Sequence, residues 1–154
     1  MKNIIQAERK LTTGNRDTLY NNNVNPIATL TGTGLVVYGQ KTLQKQATAL
    51  DRVNVRRLLL TLKDYISQVA NNLVFEQNTI ATRNSFLAQV NPYLESVQQR
   101  QGLYAFSVKM DEENNSNSSI DRNELVGQIY IQPTKAIEYV LLNFTVSPTG
   151  TVFS

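Results

Sequence analysis

TALDRVNVRRLLLTLKDYISQVAN, running from Thr48 to Asn71, is the stretch whose reading decides the fold. Within it and just past its end, Val55, Leu58, Leu59, Leu62, Ile66, Val69 and Leu73 recur at steps of three and four residues. At about 100° per residue they fill one arc about 100° wide, the stripe of a helix that lies against a core. Thr48 and Asp51 stand at capping-box spacing and predict the start of the helix. Arg52, Arg56 and Lys63 project within about 40° of one another beside the stripe, whereas Arg57 points away. The helix thus carries a basic edge, readable as a solvated flank or as a docking surface for an acidic partner.

Working outward, Leu73-Val74-Phe75 reads as a short strand, and Asn78 is placed to cap a second helix that extends to about Arg100 and ends at Gly102. Phe86, Leu87, Val90, Leu94 and Val97 form its apolar face. Pro92 removes a backbone donor and crowds the preceding turn, which predicts a bend or a restart capped by Asn91. From Leu103 the period changes to two, predicting strands over 103–109, 124–131 and 138–146. The polar run Asp111 to Ser119 reads as an exposed loop with no means of packing, and Pro133 to Ala136 as a short crossover. Toward the other end, Leu35 to Tyr38 reads as a buried strand between Gly32, Gly34 and Gly39. Residues 1–26, rich in Asn and polar side chains, favour turns over a packed element. The expected fold class is α+β, a mixed sheet packed against two main helices with extended terminal segments, with 1–24 as a leading segment or linker and 25–154 as the domain.

The 154 residues suffice for one domain, and 41% hydrophobic against 18% charged residues speaks against wholesale disorder. Absence of cysteine and histidine removes thiolate nucleophiles, Ser-His-Asp relays, His or Cys metal sites and disulfides. No apolar run approaches the roughly 20 residues that cross a bilayer, and the residues after Met1 do not form a signal-peptide core. Charge is unevenly placed: residues 1–63 hold ten Lys or Arg against three Asp or Glu, and residues 64–154 hold five against nine. Such a bipolar chain attracts copies of itself or an acidic partner. Nucleic acid is disfavoured as that partner, since aromatics are not interleaved with the basic residues and no recognition motif is present.

The remaining motifs carry little chemistry. Thr31-Gly32-Thr33-Gly34 precedes a strand instead of opening a helix, so it is not a phosphate loop. Asp111, Glu113 and Asn115 copy the first ligand positions of a calcium loop, but the glycine is missing and Arg122 holds the place of the final glutamate. The seven tyrosines are scattered among the elements, as packing residues are. No residue is therefore assigned as catalytic, cofactor-binding or metal-ligating.

Several short strings occur in a telling order. Asn25-Pro26-Ile27 leads to Gly32-Thr33-Gly34 and Val37-Tyr38-Gly39-Gln40-Lys41-Thr42-Leu43; then come Arg52-Val53-Asn54-Val55-Arg56-Arg57-Leu58, Leu73-Val74-Phe75-Glu76, and Thr82-Arg83 with Phe86. Ile120-Asp121-Arg122-Asn123-Glu124 and Ile131-Gln132-Pro133-Thr134-Lys135 complete the series. From about Arg16 to Phe153 the chain resembles the C-terminal, inner domain of contractile-tail sheath proteins, most of all those of T4-like and related large contractile phages.

This resemblance implies a structural role. Sheath subunits stack as hexameric rings into a helical sleeve around a tail tube, between a baseplate and a terminator, and contract to drive the tube through the host envelope. It implies assembly in the host cytoplasm, residence in the virion tail, a homo-oligomer with the tube protein as partner, no cofactor, and no nucleic-acid or membrane partner. The helix matching Thr48–Asn71 is the one that approaches the tube, which favours a tube-facing role for Arg52, Arg56 and Lys63. Thr145, Val146, Thr151, Val152 and Phe153 suit an arm that adds a strand to a neighbouring subunit. Family members carry a long N-terminal portion, so the 154 residues are expected to be part of a longer protein. Two other readings remain open on the sequence: a static tail terminator or tube cap of similar fold, and a nucleic-acid-binding module.

Overall fold

The computed structural model describes residues 7–142. Its elements in chain order are α1 (Thr13–Asn21), β1 (Ile27–Leu30), β2 (Gly34–Val37), α2 (Val53–Asn71), α3 (Ile80–Gln99), β3 (Leu103–Lys109), α4 (Asn117–Asp121) and β4 (Gln128–Pro133). The fold is α+β, and its sheet component consists of two separate antiparallel pairs, β1–β2 and β3–β4.

The core forms where the two long helices meet the β3–β4 hairpin. Leu62 and Val69 of α2 and Phe86, Val90, Leu94 and Val97 of α3 pack with Leu103 and Met110, and Leu58, Tyr65, Ile66, Phe106, Val108, Ile129 and Ile131 close around them. Val90 and Leu94 have no exposed surface. The predicted stripes thus face this core, and Tyr65 joins them by stacking on Tyr93 with ring centroids 3.8 Å apart. On the hairpin, Phe106 lies opposite Ile131 and Val108 opposite Ile129, which puts the apolar residues of both strands on one face.

Local details depart from the sequence reading. Thr48 caps only a 3-10 turn, Ala49–Asp51, and α2 begins at Val53 after an extended Arg52. Leu73-Val74-Phe75 is a turn and no strand: Phe75 has a φ of 74° and is fully exposed, while the amide of Glu76 donates to the Leu73 carbonyl. Three residues are too few to pair when the chain must reverse between two antiparallel helices. The cap of α3 is Thr79, whose hydroxyl accepts from the Thr82 amide, and α3 runs unbroken through Pro92 without restarting at Asn91.

At the end of α3, Gly102 N–H donates to the Val97 carbonyl and Gln101 N–H to that of Gln98, the paired bonds of a Schellman motif. Gln101 takes the left-handed conformation (φ 62°), so Gly102 serves for close approach instead: a Cβ there would lie 2.8 Å from Val97 Cγ1.

Two segments read as unpacked prove ordered. Residues 13–21 form α1, started by the Thr12 hydroxyl accepting from Asn15 N–H, although none of its residues is buried. The acidic loop contains α4 and a buried Asn115, whose amide donates to the Asp111 and Val126 carbonyls and accepts from Val126 N–H. One side chain thereby supplies the packing that the Ser/Asn composition lacks. Conversely, β2 is only partly covered, with Val37 53% exposed, because a two-stranded hairpin against a short helix has little apolar surface to bury. The second strand of the β3 pair is 128–133, shorter than 124–131 implied and shifted along the chain. Residues 138–142 form no strand, and the remainder of the predicted 138–146 strand lies outside the described residues.

Candidate assembly interface

Three parts of the chain far apart in sequence meet at the start of α2. The amide of Thr42 donates to the Asp51 carbonyl (2.9 Å), that of Val53 to the Gln40 carbonyl (2.8 Å), and Lys41 and Arg52 form a single antiparallel bridge. This pairing holds Arg52 extended, with φ −113° and ψ 139°, so its side chain does not follow the helical period that aligned it with Arg56 and Lys63. It turns instead toward Glu138, 86 residues later: Nε donates to Oε1 and Nη2 to Oε2 (3.2 Å), while Nη1 lies 3.0 Å from Asp51 Oδ2.

Glu138 gathers further partners. Tyr20 lines the same cavity as its carboxylate, and the Lys41 ammonium adds its field. Lys41 in turn donates from Nζ to the Tyr20 carbonyl at 2.8 Å and sits 4.1 Å from the centre of the Tyr20 ring. Its backbone is clamped by Asn25, whose amide donates to the Lys41 carbonyl (2.8 Å) and accepts from Lys41 N–H (2.9 Å). Gly39 makes this clamp possible, since a Cβ there would lie 2.6 Å from Asn25 Oδ1.

The titration behaviour follows from this geometry. Partial burial pushes the Glu138 carboxyl up, but hydrogen bonds from Arg52 and Tyr20 and the charges of Arg52 and Lys41 outweigh it, leaving the group below the usual glutamate range. Burial first, and then the hydrogen bond and charge of Glu138, push the Tyr20 hydroxyl up to about 12. Beside the cluster opens a cavity of about 350 Å³ lined in part by Arg16, Tyr20, Tyr38, Ile137 and Tyr139.

The other residues singled out in the sequence fall elsewhere. Arg56 and Lys63 are exposed on α2, with the half-exposed Leu60 on the same side between them. Arg52 is separated from them by its ion pair. Thr145, Val146, Thr151, Val152 and Phe153 lie outside the described residues. Just before them, Tyr139, Val140, Leu141 and Leu142 are 79, 71, 90 and 70% exposed, a continuous apolar run facing solvent. Among the described residues β3 and β4 pair only with each other, which leaves both outer edges of the hairpin with unpaired backbone groups. Among the described residues no group of three or more acidic side chains is placed to hold a metal ion, and no helix is long and apolar enough to cross a membrane.

Sequence reasoning missed Glu138 and Tyr20. The one available signal was compositional: Glu138 is the only acid after Glu124.

Residues 45–147, which include the whole helical core and the β3–β4 hairpin, match the phage tail sheath C-terminal domain family. This chain belongs to that family. The sheath domain is 42% identical over 154 residues to the tail sheath protein of Vibrio phage KVP40, covering all of this chain and 23% of that protein. It is 39% identical over 151 residues to the tail sheath protein of Enterobacteria phage T4, covering 98% of this chain and 23% of that protein. It therefore spans about a quarter of the length of the curated relatives it matches. In fold it is similar to a chain of the sheath complex of an extracellular contractile injection system in its contracted state, with a TM-score of 0.83 at 23% identity over 91% of this chain and 42% of the other. A chain of the anti-feeding prophage helical sheath in its contracted state gives a TM-score of 0.79, also at 23% identity, over 90% of this chain and 41% of the other.

Proposed function

We propose that the sheath domain is the inner part of a contractile tail sheath subunit, which polymerises around a tail tube and contracts to drive that tube through a host envelope. The observation that carries this reading is the family match across the whole packed core, residues 45–147. The surface supports it. A four-residue apolar run in solvent and a hairpin whose two edges are unpaired among the described residues are liabilities for an isolated molecule and are relieved by a neighbouring copy. A head-to-tail contact that does not close on itself generates a helix, the form a sleeve requires.

In this reading the tail segment from Tyr139 through Thr145, Val146, Thr151, Val152 and Phe153 is the arm that reaches the next subunit. Arg56 and Lys63 form the edge that faces the tube, and Arg52, paired with Glu138, is not part of it. Partners are further copies of the chain, a tube protein, and baseplate and terminator proteins at the ends; the virion tail is its place and the host cytoplasm its site of assembly. Chemistry on a substrate has no part in it.

Electron microscopy of the protein produced together with its tube protein is the test. Tubular sleeves or free polysheath are expected, and a single ring per tube or dispersed monomers would overturn the reading. Charge reversal at Arg56 and Lys63 is expected to reduce sleeves formed on the tube without changing the thermal midpoint of the domain.

A further inference from the structure

The final described segment is tied down at two places and then let go. Thr134 fixes its beginning to the corner between α3 and β3: its N–H donates to the Gly102 carbonyl (3.2 Å) and its hydroxyl to the Gln101 carbonyl (2.6 Å). Four residues later comes Glu138, and the apolar run Tyr139–Leu142 follows at once in solvent. Glu138 is bonded by Arg52, immediately before α2, and shares a cavity wall with Tyr20 of α1, whose carbonyl accepts from Lys41 after β2.

We propose that Glu138 is the positioning residue of the tail segment: clipped by the Arg52 fork, it fixes the direction in which Tyr139–Leu142 leaves the domain and so selects which copy of the chain receives it. The inference rests on the sheath reading and adds to it the device that aims the arm.

Three features separate this clip from ordinary fold stabilisation. The cluster lies outside the hydrophobic core, whose buried residues come from α2, α3, the start of β3 and Met110. The contact between Arg52 and Glu138 is a two-pronged fork, which fixes orientation as well as distance. The side chains of the pair are 25% and 20% exposed, so solvent screens the attraction and the clip is firm without being permanent. Without it the hydrogen bonds that tie this segment to the domain among the described residues are those of Thr134, and four consecutive apolar residues become free to meet any surface within reach.

The absence of cysteine makes the test direct. Spin labels are placed at Gln68→Cys on the exposed side of α2 and at Leu142→Cys at the end of the segment, and the distance distribution is measured in the intact protein, alone and with Glu138→Ala, Glu138→Gln, Arg52→Ala or the Glu138→Ala/Arg52→Ala pair. A narrow distribution is expected with Glu138 present. Each single alanine variant should broaden it, shifting the clipped-to-released ratio about fivefold; the double variant should add nothing further, since both act on one contact. Glu138→Gln, which keeps shape and loses charge, should fall between. Melting followed by circular dichroism should stay within experimental error of the parent for all four, and the amount of sleeve seen by electron microscopy should fall in the same order as the broadening.

Unchanged distances in both alanine variants would overturn the proposal, as would broadened distances with undiminished sleeve formation. Failure of the parent protein to form sleeves would overturn the sheath reading instead, while the label distances would still decide whether the clip exists.

Discussion

Asn25 and Asn115 perform the same operation in two differently built parts of the molecule. Each side-chain amide pairs with both the N–H and the carbonyl of one distant residue, Lys41 for Asn25 and Val126 for Asn115, at 2.8–2.9 Å throughout. Around Asn115 the bond seals a loop onto a continuous apolar core, and its residue is 3% exposed. Around Asn25 there is almost no core: among the described residues of α1 and the β1–β2 hairpin region only Pro26 and Ala28 are buried, and cohesion comes from Lys41 on Tyr20, Arg16 over Tyr38 and the Arg52–Glu138 fork. Burial is proportional to apolar area and indifferent to small shifts, whereas polar ties are directional and exchange readily with water. The helical part is thus held mainly by apolar burial, and the part around Asn25 mainly by directional polar ties.

That contrast is open to attack in order of effect. Leu94→Ala removes a side chain with no exposed surface and should cost the whole domain about 3 kcal/mol or more, read as a fall in denaturant midpoint. A loss below about 1 kcal/mol would mean that the core is not the main source of stability. Asn115→Ala removes a side chain only 3% exposed together with its three hydrogen bonds and should cost about 2 kcal/mol, while Asn25→Ala, at a half-buried residue, should cost about 1 kcal/mol or less. Hydrogen exchange sharpens this pair: Asn115→Ala should lower protection across β3 and β4, and Asn25→Ala only near Lys41. Equal effects of the two would erase the distinction between the regions.

Acid probes the polar region by itself. Because the Glu138 pKa is held below its unfolded value, the stabilisation it contributes is fully present above the ordinary glutamate pKa of about 4.3 and is lost as pH falls through the lower folded value. Release of the tail segment, read by limited proteolysis near Glu138, should therefore begin only below about pH 4.3 and precede loss of the helical signal. Simultaneous loss would show the two regions to be one cooperative unit. The smallest effect is expected at Gln101→Gly, where a left-handed residue becomes glycine; relief of φ strain against the added freedom of the unfolded chain should raise stability by about 0.5 kcal/mol.

Legibility in the sequence follows the same divide. The apolar faces of α2 and α3 were readable because helical periodicity repeats a local rule many times, so that a single misplaced cap at Thr48 or Asn78 does not spoil the pattern. The 103–109 strand was readable from alternation, but the second strand was only half legible, expected at 124–131 and formed at 128–133. Leu73 to Phe75 misled because a β-prone triplet is too short to outweigh the reversal between two helices, and α1 and α4 were hidden because short helices held by caps and one buried amide leave no apolar stripe. The basic edge was half legible: Arg56 and Lys63 obey the helical period, but Arg52 does not, since its backbone is captured by Lys41 before the helix begins.

By itself the sequence determined the α+β class, the two helices and the faces they bury, the absence of thiol and imidazole chemistry, and the order of short strings that marks the family. Tertiary structure alone decided that Arg52 pairs with Glu138 and that Asn25 and Asn115 act as clamps. The physical reason is range. Periodicity and capping are set by neighbours three or four residues away, but a hydrogen bond across 86 residues depends on where the whole chain has brought its ends, and no local pattern encodes that.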